Sequence, residues 1–364
     1  TGSSGVLAQG NGGLPPLRVA DIDTQGPGAF GVRATDTAGG GIEAWVSGLV
    51  ATSGDGATGI ELGSTGTIQL VANAVSSSGE DATAISALGE AGVTLEVGTV
   101  QGGWDAANGV QFGSTVAGIA STLTVVAGGD LSALSDQTVR GAAGDEAVVL
   151  AGHAVGGMEL GAGDDTLRIL QGGRFDLRNF ADTDGDGQRD TEGASAPNLS
   201  FGAGLDDYLD LRTGGVLGLA VVGPDDIGTI TGLETFDNRG LITLADAGNG
   251  GSAPGAGDKL YAQAGIYTGF TGALLHLDAR LDAGGATQLT DRFLIDGGAD
   301  GTTLVSILND LGQGAATGNG NTDGTKLYSG PYPLDAQRFL VSARGPLLVR
   351  TLSGDCQTVA LDSP

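Results

Sequence analysis

One short acidic segment carries four carboxylates at the positions that calcium loops use, namely Asp182, Asp184, Asp186 and Asp190. Counted from the first of them, they fall at positions 1, 3, 5 and 9, and position 6 is a glycine. This is the spacing of an EF-hand loop, in which alternate residues of a tight turn aim oxygens at one hard dication. The backbone carbonyl of Gln188 would be the ligand at position 7. The segment therefore predicts a Ca²⁺ site.

Two features of this segment bear on how well it would hold an ion. Position 12 of an EF-hand loop is a bidentate glutamate, whereas here it is Gly193, and Glu192 comes one place early. We therefore expect the site to take an oxygen from elsewhere in the chain or to bind weakly. The alternative is a solvated acidic loop, but four carboxylates so close together repel one another unless a cation neutralises them.

A second candidate calcium motif is the segment 161–167. Its sequence, GAGDDTL, fits the G-x-G-x-D-x-U pattern of calcium-binding β-rolls, in which U is apolar. Such a site takes partner ligands from the next repeat of the nonapeptide. The corresponding residues, 170–176, have the sequence LQGGRFD and match the pattern poorly. We therefore expect 161–167 to form a turn that leads into a strand.

Catalytic patterns are sparse in this sequence. The two histidines are His153, in a glycine-rich segment, and His276, which would point outward from an alternating strand. No H-E-x-x-H or G-x-S-x-G motif occurs. The acid pairs at 206–207 and 225–226 are poor catalytic dyads, because neighbouring residues of a strand point to opposite faces. We therefore expect no catalytic residues in this chain.

Composition and charge exclude several classes of protein. Of the 364 residues, 70 are glycine and 40% are hydrophobic, which is too apolar for a disordered acidic tail. No run of about 18 apolar residues is present, so we expect no membrane insertion by a helix. The net charge of −27 would repel nucleic acid and anionic membrane surfaces. Cys356 is the only cysteine, so no disulfide can form within the chain.

A repeat of 25 residues is visible in the N-terminal half. Ile60, Ile85 and Val110 occupy the same place in three similar pentapeptides, 25 residues apart. A second apolar segment follows each of them, at 67–71, 93–97 and 122–126. Apolar residues alternate within these segments, which predicts strands with one buried face. Polar, glycine-rich turns separate the units.

A unit of this size with two or three short strands is typical of one coil of a β-helix. Coils stack about 4.8 Å apart, so a uniform repeat would give roughly 14 coils and a rod about 70 Å long. The alternative is a β-sandwich or a propeller with accidental spacing. No propeller signature recurs, and aromatic residues, at 4%, are too few for sandwich cores. The sequence therefore predicts an all-β solenoid.

The C-terminal part of the sequence resembles a known family. It contains, in order, GDKL, LLHLDA, TDRFLIDGGADGTTLVSI and GAATGNG, at 257–260, 274–279, 290–307 and 314–320. This progression resembles the C-terminal passenger region of bacterial autotransporters (type V secretion) of the pertactin-like kind. The glycine- and aspartate-rich N-terminal repeats are similar to passengers of the same family.

The resemblance implies a right-handed parallel β-helix that is exported to the bacterial cell surface, outside the outer membrane. It implies β-helical passenger repeats at 1–254, with an aspartate-rich insert near 181–197. The C-terminal segment at 255–364 resembles the region that helps the passenger to fold or caps it. In the family a membrane translocator follows the passenger, and the residues up to Pro364 resemble the passenger part only.

Three functions are compatible with these patterns. The favoured one is an extracellular structural or adhesive β-helix, stabilised by calcium and non-enzymatic. Its expected partner is a host or neighbouring-cell surface, through a glycan or a matrix component. The second is a carbohydrate-active β-helix enzyme, a lyase or hydrolase, which predicts three or more acidic side chains converging in one outer groove. The third is a self-associating subunit of a surface layer or filament, because coil ends expose unpaired strand edges.

Overall fold

The structure is a computed structural model that describes residues 4–178, 182, 184–186, 199–219, 227–245, 257–279, 291–309, 343–344, 347–351 and 356–359. The described elements are all strands, so the all-β prediction is confirmed for this part of the chain. None of the described residues forms a helix with the length and apolarity that a membrane crossing requires.

The strands are short and follow one another with few intervening residues. The first fourteen are β1 (Ser4–Gly10), β2 (Leu17–Val19), β3 (Ile22–Gln25), β4 (Phe30–Asp36), β5 (Ile42–Ser53), β6 (Thr58–Ser64), β7 (Ile68–Ser78), β8 (Ile85–Gly89), β9 (Val93–Gly102), β10 (Val110–Ser114), β11 (Ala120–Ala133), β12 (Gln137–Arg140), β13 (Asp145–Leu150) and β14 (His153–Glu159). The next are β15 (Thr166–Ile169), β16 (Arg174–Leu177), β17 (Leu199–Ser200), β18 (Tyr208–Leu211), β19 (Val216–Leu219), β20 (Ile227–Asn238), β21 (Leu241–Thr243), β22 (Lys259–Gly269), β23 (Leu274–Ala279), β24 (Arg292–Gly301), β25 (Leu304–Asn309), β26 (Ala343–Arg344), β27 (Leu347–Thr351) and β28 (Cys356–Val359).

These strands pair in parallel into three ladders, and the chain visits the ladders in turn. The ladders are defined here by the core residues that pair in register. Ladder A contains Val6, Val32, Ile60, Ile85, Val110, Val139, Met158, Leu199, Ile230, Ala262 and Ile295. Ladder B contains Leu17, Ala44, Leu70, Leu95, Leu123, Val148, Leu167, Leu209, Phe236, Tyr267 and Ala299. Ladder C contains Ile22, Val50, Val75, Val100, Leu131, Ala154, Phe175, Leu217, Ile242, Leu275 and Val305.

The three columns form one hydrophobic core with eleven levels, each level having one residue from each ladder. Strand alternation produces this arrangement, since in β9 Val93, Leu95 and Val97 are buried while Thr94 and Glu96 are exposed. Near the C-terminal levels the core is filled by Phe236, Tyr267 and Phe293, whose rings meet edge to face at centroid distances of 5.2–6.2 Å. The buried face predicted from alternation is therefore confirmed.

The chain step between levels is regular only in the N-terminal half. Ile60, Ile85 and Val110 pair directly, which confirms that the 25-residue repeat places equivalent residues side by side. From Met158 to Leu199 the step is 41 residues, because the aspartate-rich segment lies within it. The described residues consequently form eleven complete levels, and β26 and β27 continue ladders B and C by pairing with β24 and β25.

Glycine is needed where the chain turns between ladders. Gly202 has a φ of 81°, which favours glycine, and a Cβ there would overlap the carbonyl oxygen of Gly161 in the preceding level. Gly161 meets the carbonyl of Ala142 in the same way. Backbones at this corner therefore approach so closely that side chains are excluded, which accounts for part of the glycine content.

The columns predict how the protein responds to loss of a core side chain. We expect Leu95→Ala to lower the free energy of unfolding by about 2–5 kcal/mol, because Leu95 is fully buried between Leu70 and Leu123. Urea denaturation monitored by circular dichroism measures the change. The control is Glu96→Ala on the outer face of the same strand, expected within about 0.5 kcal/mol of the parent. Equal effects of the two variants would contradict the inward column.

Candidate metal centre

Three of the predicted calcium ligands lie together. Asp182, Asp184 and Asp186 each place one carboxylate oxygen within 4.8 Å of the other two. Oxygen ligands of Ca²⁺ lie 2.3–2.6 Å from the ion, so oxygens on opposite sides of one ion are roughly 5 Å apart. The separations in this cluster are therefore compatible with a single calcium ion. Gln188 and Asp190, the other two predicted ligands, lie outside the described residues.

The backbone turns tightly between these acids. The Gly185 N–H donates to Asp182 Oδ1 at 2.6 Å, and the Asp186 N–H donates to Asp184 Oδ1 at 3.1 Å. Gly185 has a φ of 83°, a conformation that favours glycine. The side chain of Asp182 is buried, whereas Asp184 and Asp186 are exposed. The turn therefore gathers carboxylates from alternate residues at one edge that solvent can reach.

Contacts with earlier levels hold this acidic turn on the body of the protein. The Asp182 N–H donates to the carbonyl of Leu134 at 2.9 Å, and the Asp182 carbonyl accepts from the Asp105 N–H at 3.3 Å. A Cβ at Gly185 would lie 2.8–3.0 Å from atoms of the Trp104 ring, so the turn packs on that indole. The acidic turn is thus anchored at its start.

A further acidic cluster lies at the corner that precedes ladder B. Its members, referred to here as the acid column, occupy the same position in four successive levels: Glu146, Asp165, Asp207 and Glu234. Each side chain from Asp165 onward accepts a hydrogen bond from the backbone N–H of the acid one level earlier, at 2.7, 2.6 and 2.8 Å. Carboxylates therefore link consecutive levels at this corner.

Burial makes the acid column unusual electrostatically. Glu146, Asp165 and Asp207 are at most 1% exposed. Burial, with a smaller contribution from neighbouring carboxylates, raises the pKa of Glu146 to about 8 and that of Asp165 to about 7. Burial likewise raises the pKa of Asp207 to about 6, with Glu234 and Asp164 adding to the effect. Each of the three has one carboxylate oxygen with no hydrogen-bond partner among the described residues. The column therefore binds protons near neutral pH.

The GAGDDTL motif at 161–167 belongs to this acid column. The expected turn into a strand is confirmed, because β15 begins at Thr166. The expected opposite orientation of residues 206–207 is also confirmed, since Asp206 is exposed and Asp207 is buried. The second acid pair, 225–226, lies outside the described residues. Sequence reasoning missed the column itself, although the acid pair at 145–146, which also follows a glycine, repeats the pattern one level earlier.

The histidine at 153 has charged neighbours from adjacent levels on the outer face of ladder C. Its Nε2 lies 2.9 Å from Asp176 Oδ2, and its Nδ1 lies 3.4 Å from Asp130 Oδ1. The Arg174 Nε donates to the same Asp176 oxygen at 2.5 Å. Burial opposes ionisation of Asp176, but the hydrogen bonds from His153 and Arg174 outweigh it and lower its pKa. This group brings two acids together, whereas the enzyme alternative predicts three or more.

The other histidine lies as its strand pattern predicts. His276 is half-buried between the inward residues Leu275 and Leu277, and burial lowers its pKa.

Comparison with known proteins adds no assignment to these sites, since no family model, curated protein or solved structure matches the chain. What the sites do is therefore argued from their geometry.

The acid column predicts a pH dependence of stability. Between about pH 4 and the folded pKa values of about 8, 7 and 6, the folded chain keeps protons that the unfolded chain has released. Because the folded state binds more protons in this window, the free energy of unfolding should fall as the pH rises. Urea denaturation at about pH 5 and about pH 8, in the presence of a chelator, measures the difference.

A variant that removes one charge tests whether the acid column causes this pH dependence of stability. Asp165→Asn keeps an oxygen to accept from the Glu146 N–H but has no buried charge, so stability should depend less steeply on pH. Each unit of pKa elevation corresponds to about 1.4 kcal/mol. The matched control is Asp55→Asn, at an exposed acid in a turn far from the column, which should follow the parent. A parent whose stability rises between pH 5 and 8 would show that another group dominates.

Proposed function

We propose that the chain is a right-handed parallel β-helix that serves as a structural or adhesive rod on the outside of a bacterial cell. The observation that carries this proposal is the single core of three in-register columns, visited in turn through eleven levels. A chain that returns to the same ladder once per level, always in parallel, winds as a coil. The right hand follows from the strong preference of parallel crossovers for that sense.

The dimensions of such a rod support a display role. Eleven levels at about 4.8 Å give a length on the order of 50 Å for the described part. Along that length each strand pairs on both sides, so unpaired edges are confined to the two ends. The outer faces of the ladders and the corner loops are then the surfaces that can meet a partner. A host or neighbouring-cell surface, bound through a glycan or a matrix component, is the partner that we propose.

Export to the cell surface is supported by the resemblance of residues 255–330 to autotransporter passengers. The composition agrees with it, because a core of stacked levels needs neither disulfides nor many aromatic residues, and one cysteine and 4% aromatics are present. The net charge of −27 keeps such a rod soluble and monomeric at high local density.

We further propose that Ca²⁺ binds at the acidic turn and stiffens it. The support is the convergence of Asp182, Asp184 and Asp186 within 4.8 Å of one another. The EF-hand spacing would add the Gln188 carbonyl and the Asp190 carboxylate as ligands. Oxygen-only ligands of this kind suit a hard dication.

Calcium binding is tested by titration with Ca²⁺ and with luminescent Tb³⁺. We expect the parent protein to bind one ion at the turn and to gain thermal stability as the Ca²⁺ concentration exceeds the dissociation constant. Asp184→Asn should weaken Ca²⁺ binding about tenfold or more, because it removes the charge of one exposed carboxylate ligand. Asp55→Asn, in a glycine-rich turn elsewhere, should bind like the parent. Unchanged binding by Asp184→Asn would contradict the site.

The rod and its location are tested separately. Small-angle X-ray scattering of the purified chain should give an elongated particle, and antibodies against it should label intact producing cells. Beads coated with the chain should adhere to cells more than beads coated with an inert protein. A globular scattering profile would overturn the β-helix, and labelling only after cell lysis would overturn the surface location.

A further inference from the structure

Three arginines from successive levels surround one buried aspartate on the outer face of ladder B. Arg168, Arg212 and Arg239 lie 3.0, 2.6 and 3.3 Å from the carboxylate of Asp210. Asp210 lies between the inward residues Leu209 and Leu211, so it faces away from the core, yet it has 0% exposure. The three guanidinium groups lie against its carboxylate. We refer to these four residues, with Asp237, as the arginine cluster.

The arginines differ in how many donors they have left. Arg239 donates through Nη1 to Asp210 and through Nη2 to Asp237, and its guanidinium stacks over the Phe270 ring at 3.8 Å. Arg168 and Arg212 donate to Asp210 only through Nε. Their side chains are 39% and 46% exposed. Two guanidinium groups are therefore held in place by one nitrogen each, and their Nη groups have no hydrogen-bond partner among the described residues.

Fixed guanidinium groups of this kind suit a planar oxyanion. Terminal guanidinium nitrogens bind carboxylates through two parallel hydrogen bonds, which are about twice as strong as neutral ones. Holding Arg168 and Arg212 through Asp210 reduces the side-chain entropy that binding would otherwise cost. Because Asp210 is fully buried, it holds Arg168 and Arg212 more firmly than an exposed carboxylate of a surface ion pair would. Their guanidinium groups are therefore already positioned before a ligand binds.

The charge of the cluster limits what it can hold. Three arginines and two aspartates sum to one positive charge, which one carboxylate neutralises. The chain as a whole has a net charge of −27, so it would repel a ligand with many closely spaced negative charges. The fitting ligand is therefore an anion with widely spaced charges.

We propose that the arginine cluster binds the carboxylate of a uronic acid unit in a cell-surface glycan. A peptide ligand is disfavoured, because β15, β18 and β20 are paired on both sides and offer no free strand edge for a peptide main chain. A sugar carboxylate needs only the side-chain donors that the cluster presents. The proposal rests on the adhesive function proposed above and supplies its ligand class.

The test is direct binding of a defined oligosaccharide to the purified full chain. The probe is a tetrasaccharide of alternating glucuronate and N-acetylglucosamine, compared with the same compound after reduction of its carboxyl groups. Titration calorimetry at about 0.15 M salt screens the long-range charge of the protein but not close contacts. We expect the acidic probe to bind, and the carboxyl-reduced probe to bind at least tenfold more weakly.

A charge-preserving double variant tests the geometry. Arg168→Lys with Arg212→Lys keeps two cations beside Asp210 but removes the planar forks, so binding should weaken about tenfold or more while circular dichroism stays unchanged. The matched control is Arg140→Lys, whose parent residue faces Glu159 at 3.9 Å and is 53% exposed. It should bind like the parent. If the double variant does not fold, Arg212→Lys alone, in the most exposed of the three, replaces it.

Each result decides the proposal. Equal binding of the acidic and reduced probes, or parental binding by the lysine variants, would overturn it. Equal competition by a short acetylated peptide with one glutamate would overturn the sugar assignment in favour of a peptide partner. Failure of the rod or surface tests with retained probe binding would contradict the adhesive function alone, whereas loss of probe binding by a surface-located rod would contradict only this site.

Discussion

Hydrogen bonding between levels is the constraint on which the rest of the molecule depends. Each strand pairs with the strand one level before and the strand one level after. The residue that lies beside a given residue in the neighbouring strand is therefore one level away along the chain. Whatever lies at one position must tolerate a similar residue directly above it. Ile60, Ile85 and Val110 meet this condition in the core, and Gly161 and Gly202 meet it at a corner where backbones touch.

The same constraint explains the charged groups. Stacking acid on acid at the corner before ladder B places Glu146, Asp165 and Asp207 where water cannot screen them, and protons reduce the repulsion that results. On the outer face of ladder B, in contrast, Arg168 lies directly over Asp210, and Asp237 follows Asp210 one level later. The Asp210 carboxylate is buried and holds the Arg168 guanidinium through a hydrogen bond. Buried carboxylates thus bind protons in the acid column, whereas in the arginine cluster a buried carboxylate fixes the position of hydrogen-bond donors.

The sequence predicts most clearly what repeats at constant spacing. The 25-residue step and the alternation in β9 located the paired strands and the buried face, and the spacing of Asp182, Asp184 and Asp186 located a real cluster. The acid column was not predictable in this way, because Glu146, Asp165 and Asp207 are separated by unequal lengths of chain. His153 and Asp176 likewise meet only because ladder C brings two levels together. The loops differ in length from level to level, so sequence spacing alone does not tell which residues of successive levels lie side by side.

The acid column also sets the middle levels apart from those before them. Levels that contain residues 30–112 include a partly exposed ion pair between Arg33 and Glu61, whereas the four levels from Glu146 to Glu234 are linked through carboxylates that accept backbone hydrogen bonds, three of them buried. Ionisation of Glu146, Asp165 and Asp207 in alkaline solution would place like charges on neighbouring levels in the interior, so a rise in pH would weaken the packing between these middle levels.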